Sequence, residues 1–110
     1  MRKNGDIMDL ESMQVKVLKA MAHPVRLKII KKLGDQKLCV CELNKDVEFT
    51  QSNLSQHLKI LKDAGILDSE KKGLWMHYRV RNKEILEVIN IVEKIISDNV
   101  KNLNQELGGQ

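Results

Sequence analysis

The chain has 110 residues, 42% of them hydrophobic and 31% charged, and a formal net charge of +4. That length suits one compact domain and is short for two, and no apolar run approaches the roughly 20 residues of a membrane-spanning helix. The first ten residues include Arg2 and Lys3 but lack the apolar run of a secretory signal, so a cytoplasmic protein is expected. Cations are unevenly spread: residues 12–34 hold six Lys or Arg and no acid, and residues 50–81 hold six against three acids. The asymmetry suits a polyanionic partner, although lysines that merely solvate helix faces would read the same way.

In chain order, Leu10, Met13, Val17, Leu18 and Met21 recur at helical spacing and predict an amphipathic helix over residues 9–21. Pro24 suits the first position of a second helix, because its missing N–H would have had no intrahelical acceptor. That helix carries Val25, Leu27, Ile29, Ile30 and Leu33 to a stop at Gly34. A short helix over residues 40–46 follows, and Thr50 is placed to cap a longer one running through Lys62, with Gly65 ending it. Residues 66–71 and 74–80 flank Lys72-Gly73. In the second run Trp75, His77 and Arg79 alternate with Met76, Tyr78 and Val80, the pattern of a two-stranded hairpin. From Lys83 onward, Ile85, Val88, Ile89, Val92, Ile95, Ile96 and Leu103 make one apolar stripe that Leu86, Ile91 and Val100 widen. Such a helix needs more than one neighbour.

The order helix, turn, helix, hairpin is that of a winged helix-turn-helix. The expected fold is therefore mainly α (α+β), about five helices with one two-stranded β-hairpin wing, in a single domain over residues 1–110. Its helix-turn-helix would occupy residues 40–63 and its wing residues 66–80. On the second helix of the motif, Leu54, Leu58 and Leu61 face the core while Ser52, Gln56, Lys59 and Asp63 face outward, with Asn53 and Ser55 at the margins. Small polar side chains there offer donors and acceptors to base edges, and Gln can pair bidentately with adenine. Gln51, Ser52, Ser55 and Gln56 are the base-edge candidates, Asn53 flanks them, and Lys59 supplies phosphate attraction. Lys71 and Lys72, at the hairpin tip, are placed to follow the phosphate backbone. A capped helix whose polar face is merely wet would give the same wheel. His57 leans toward the apolar side and is expected to be a partly buried hydrogen-bonding residue.

Four segments together, AHPVRLKII at 22–30, LCVCEL at 38–43, QSNLSQHLKILKDAGIL at 51–67 and GLWMHYRV at 73–80, resemble the ArsR/SmtB family of metal-sensing repressors over nearly the full chain. The resemblance implies a symmetric homodimer built largely from the first and last helices, about residues 9–21 and 83–103. It also implies binding to an inverted repeat in double-stranded operator DNA and release when a ligand binds. Cys39 and Cys41 match the Cys-Val-Cys of the arsenic- and antimony-responsive branch, which implies arsenite or antimonite as inducer. Thiolates do suit soft, thiophilic ions. Residues i and i+2 lie about 200° apart on an ideal helix, so a shared ion requires the helix start to unwind or bend. Members of that branch often carry a third cysteine shortly after the pair, where this chain has Asn44 and Lys45. A small thiol, water or hydroxide would complete the coordination. The cadmium- and lead-type sites need N-terminal cysteines, absent from residues 1–21, and the zinc- and nickel-type sites need histidine on the last helix, absent from residues 82–110.

In a reducing compartment the two cysteines are expected as free thiols, ligands or a redox switch, not a disulfide framework. A thiol-redox or persulfide-responsive repressor, a metal-independent winged-helix regulator and a pair of simply buried cysteines stay open as alternatives. An enzyme is not expected: Cys39 with His23 or His77 is the only raw material, no spacing assembles them, and Cys-x-x-Cys, Gly-rich phosphate-loop and HExxH motifs are absent.

Overall fold

The computed structural model describes residues 9–46, 49 and 53–108. Among them the chain forms α1 (Leu10–Met21), α2 (Pro24–Leu33), β1 (Leu38–Cys39), α3 (Val40–Lys45), α4 (Leu54–Asp63), β2 (Leu67–Lys72), β3 (Trp75–Val80) and α5 (Glu84–Gly108). This is a winged helix-turn-helix, mainly helical, with one small antiparallel sheet.

Local chemistry sets the boundaries. Asp9 caps α1 by accepting from the Ser12 N–H, and His23 Nδ1 accepts from the Val25 N–H at 3.1 Å to open α2, whose first residue is Pro24. Gly34, at φ 52°, closes α2 in a conformation that L side chains rarely adopt. The longer helix of the motif begins at Leu54 and not near Thr50, because Asn53 is its cap: Asn53 Oδ1 accepts from the Gln56 N–H at 3.4 Å. Thr50 lies outside the described residues.

The sheet has three strands in the order β1-β3-β2, all antiparallel, where only the β2–β3 hairpin was expected. β1 is two residues long, Leu38 facing Tyr78 and Cys39 facing His77, too short to announce itself by alternation. β2 and β3 pair from Leu67 with Val80 to Lys72 with Trp75, and Gly73 turns the hairpin at φ 64°.

Ile29, Ile30 and Leu33 of α2, Leu43 of α3, Leu58 and Leu61 of α4, and Ile66 and Leu67 beside them form the fully buried centre. α4 is thus clamped on its apolar side, as its wheel predicts. α5 differs: of its 25 residues only Ile89 is buried, while Val88, Ile91, Val92, Ile95, Ile96, Val100, Leu103 and Leu107 stand exposed. On α1, Leu10, Met13, Val15 and Leu18 are exposed too. Among the described residues no helix is long and apolar enough to cross a membrane.

Candidate nucleic-acid interface and thiol pair

α4 presents its outer face to solvent because Leu54, Leu58 and Leu61 fix the inner one. Gln56 and Lys59 are exposed on it, as expected from the wheel, and so is Ser55, expected at its margin. Asn53 and Gln56 are coupled: besides the cap, Asn53 Nδ2 donates to Gln56 Oε1 at 3.3 Å. Gln56 is therefore held by its neighbour, and reading a base requires exchanging that bond. Lys59 pairs with Asp63 at 3.0 Å, one turn along. So exposed a pair is worth little, and a phosphate can replace the carboxylate. Gln51 and Ser52 lie outside the described residues.

On the wing, Asp68 binds both Arg79 at 3.2 Å and Arg81 at 2.7 Å, and Glu70 binds Lys37 at 2.6 Å. Those partners account for most of the local cations. Lys71 and Lys72 are exposed at the hairpin end and form no ion pair among the described residues.

The sequence did not single out what fixes the angle of α4. Arg26 Nε donates to the Ala20 carbonyl at 2.6 Å and Nη2 to the Lys19 carbonyl at 3.5 Å, while Nη1 lies 3.2 Å from His57 Nδ1. Arginine can only donate, so His57 Nδ1 accepts. One guanidinium thereby joins the end of α1, α2 and α4. His23 packs on His57 with ring centroids 4.5 Å apart. Burial chiefly, then His23 and Arg26, holds the His57 imidazole below its usual range and so in the neutral, accepting form.

Cys39 and Cys41 meet at the junction of wing and motif. The structure pairs them as a disulfide; free thiols, ligands or a redox switch were expected, and not a disulfide framework. The i, i+2 argument assumed that both lie on a helix, and they do not. Cys39 is the cap residue of α3 with extended backbone, φ −68° and ψ 143°. Its Cα is 5.1 Å from that of Cys41, so the two sulfurs come together without unwinding α3. Cys39 Sγ accepts from the Cys41 N–H at 3.1 Å, and Glu42 Oε1 accepts from the Cys39 N–H at 3.1 Å. Cys39 is buried and Cys41 half-buried. Two adjacent sulfurs suit a soft, thiophilic centre when reduced. Among the described residues no group of three or more His, Cys, Asp or Glu is placed to hold a metal ion.

Residues 23–69 match the model of the bacterial regulatory protein, arsR family. The chain is 46% identical over 68 residues to the arsenical resistance operon repressor of Bacillus subtilis, covering 61% of this chain and 65% of that protein. It is 34% identical over 97 residues to the transcriptional activator HlyU of Vibrio cholerae, covering 83% of this chain and 90% of that one. The solved HlyU structure superposes with a TM-score of 0.68 at 32% identity, over 81% of this chain and 97% of that chain; HlyU has also been solved in a reduced form. A homodimeric winged helix-turn-helix domain from Mycobacterium bovis superposes with a TM-score of 0.75 over 93% of this chain and 95% of that chain, at 20% identity, a likeness of fold alone. The Bacillus subtilis and Vibrio cholerae relatives are, by name, a repressor and a transcriptional activator. With the helix-turn-helix, the wing and the thiol pair in place, this chain belongs to the ArsR/SmtB family of winged-helix transcriptional regulators.

Proposed function

We propose that the protein is a cytoplasmic homodimeric repressor that holds double-stranded operator DNA through α4 and the wing, and lets it go when arsenite or antimonite binds Cys39 and Cys41. The observation that carries this reading is the double role of Cys39. It closes β1, across from His77 of wing strand β3, and it caps α3, the helix before the reader helix. A new bond to its sulfur therefore acts on both DNA-facing elements at once.

In the proposed step two thiols displace two hydroxyls of arsenite. Two As–S bonds form, two As–O bonds break, and the thiol protons leave in two waters. The third position keeps hydroxide or takes a small thiol. The metalloid must bind the DNA-free arrangement better than the DNA-bound one, since a ligand shifts an equilibrium only by its difference in affinity. Loss of the Cys41 N–H bond to Cys39 Sγ loosens the cap of α3, which offers such a difference. A two-fold dimer would place two α4 helices on an inverted repeat, and the exposed apolar faces of α1 and α5 support that assembly.

The paired sulfurs favour a second reading. Two thiols pass two electrons and two protons to a hydroperoxide, which leaves as alcohol and water, and the disulfide sets the DNA-free state. A mobility shift of the reduced protein on its own upstream region, with arsenite, antimonite, cadmium, zinc or peroxide added, separates the two. Release by metalloid that vanishes in Cys39→Ser/Cys41→Ser supports the first reading; release by peroxide alone supports the second. Binding indifferent to every addition would sink both.

A further inference from the structure

We propose that Leu74 and Trp75 form an apolar wedge that enters the minor groove of duplex DNA next to the major-groove segment facing α4. The proposal rests on the DNA-binding reading above and deepens it. Leu74 is 88% exposed, the most of any large hydrophobic residue among those described, and Trp75 is 52% exposed. Unlike the exposed residues of α1 and α5, they belong to no helical stripe. They sit at the hairpin turn, immediately after Lys71, Lys72 and Gly73.

Reach and charge identify the occupant. A six-residue strand is about 20 Å long, a little over half of the roughly 34 Å turn of B-DNA. With α4 in the major groove, the hairpin end thus arrives one groove away. There Lys71 and Lys72 meet phosphates on the groove lips, while Leu74 and the Trp75 ring meet sugars and base edges. An apolar side chain at this place unstacks a base step and bends the duplex. Pyrimidine–purine steps yield most easily, so the wing adds sequence preference at positions that α4 never touches. A second copy of this tip is a poorer occupant, because a two-fold contact would bring Lys71 and Lys72 against themselves.

Trp75 is the only tryptophan of the chain, so its emission reports on the wing alone. The experiment titrates the reduced full-length protein with a duplex from the region upstream of its own coding sequence. Emission, mobility shift and bending of circularly permuted fragments are followed in parallel. The wedge predicts quenching at saturation and a bent complex; Leu74→Ser, at so exposed a turn, keeps the thermal midpoint but loses the bend and binds about tenfold more weakly. A shifted complex with unchanged emission, no bend and wild-type affinity for Leu74→Ser overturns the wedge while leaving DNA binding intact. No complex on any duplex overturns both. Emission that follows protein concentration and ignores DNA assigns the tip to a second copy and overturns the wedge.

Discussion

α4 and α5 are both amphipathic, yet the chain finishes one and leaves the other open. The three apolar anchors of α4, Leu54, Leu58 and Leu61, are buried by neighbours within the same chain, so only polar residues face out. α5 extends about 37 Å at 1.5 Å per residue and buries a single residue, Ile89, leaving most of its apolar stripe exposed together with that of α1. Apolar stripes of this extent mark interaction surfaces. The apolar side of α4 is thus covered within one chain, whereas those of α1 and α5 are not, and under the proposed function a second copy covers them.

Ile95→Glu places an unpaired charge in the proposed dimer face, costly where water is excluded. It should sediment as a monomer and bind a two-half-site operator about a hundredfold more weakly, because the second contact no longer follows the first. A dimer of unchanged stability would refute the assignment of that face.

Leu58→Ala strikes the other side of the contrast. Cavity formation beneath α4 should cost about 2–5 kcal/mol, read from denaturant unfolding, in a manner independent of protein concentration. Strong concentration dependence of the loss would mean that α4 is not closed within the protomer. Lys71→Ala/Lys72→Ala should weaken binding to specific and random duplexes alike and, with four lysines lost per dimer, lower the salt slope by about 3.6. Gln56→Ala should instead narrow the gap between them, and equal losses on both would remove Gln56 from the readers.

The smallest effect sharpens how α4 is held. His57 titrates below 6.5 in the folded protein, so the unfolded chain takes up its proton first. The stability that neutral His57 contributes is complete above about pH 6.5 and lost as pH falls from there toward the lowered value. His57→Gln should flatten this fall below about pH 6.5, measured by denaturant midpoints. Parallel curves would contradict the acceptor role of His57 toward Arg26.

Most of this architecture was legible because periodicity reports burial. The α4 wheel and the hairpin alternation follow from which side chains leave water, and α5 from helical spacing alone, since most of its stripe stays exposed. Features resting on one or two residues were not legible. β1 exists because Leu38 and Cys39 meet Tyr78 and His77, about forty positions later along the chain, a pairing that no local pattern encodes. The α4 cap is Asn53, which accepts from the Gln56 N–H three positions on. Arg26 read as one more surface cation, yet three elements converge on its guanidinium. At the thiol pair the residues were identified and their geometry was not, because the turn from strand to helix falls between Cys39 and Cys41.

The claim that the thiol pair governs DNA affinity is tested most directly by the equilibrium affinity for a fluorescently labelled operator duplex, measured by anisotropy on reduced, arsenite-loaded and disulfide protein. The account predicts tightest binding in the reduced state, at least about tenfold weaker binding once one metalloid is bound per protomer, and no metalloid response in Cys39→Ser/Cys41→Ser. Equal affinity in all three states would contradict it.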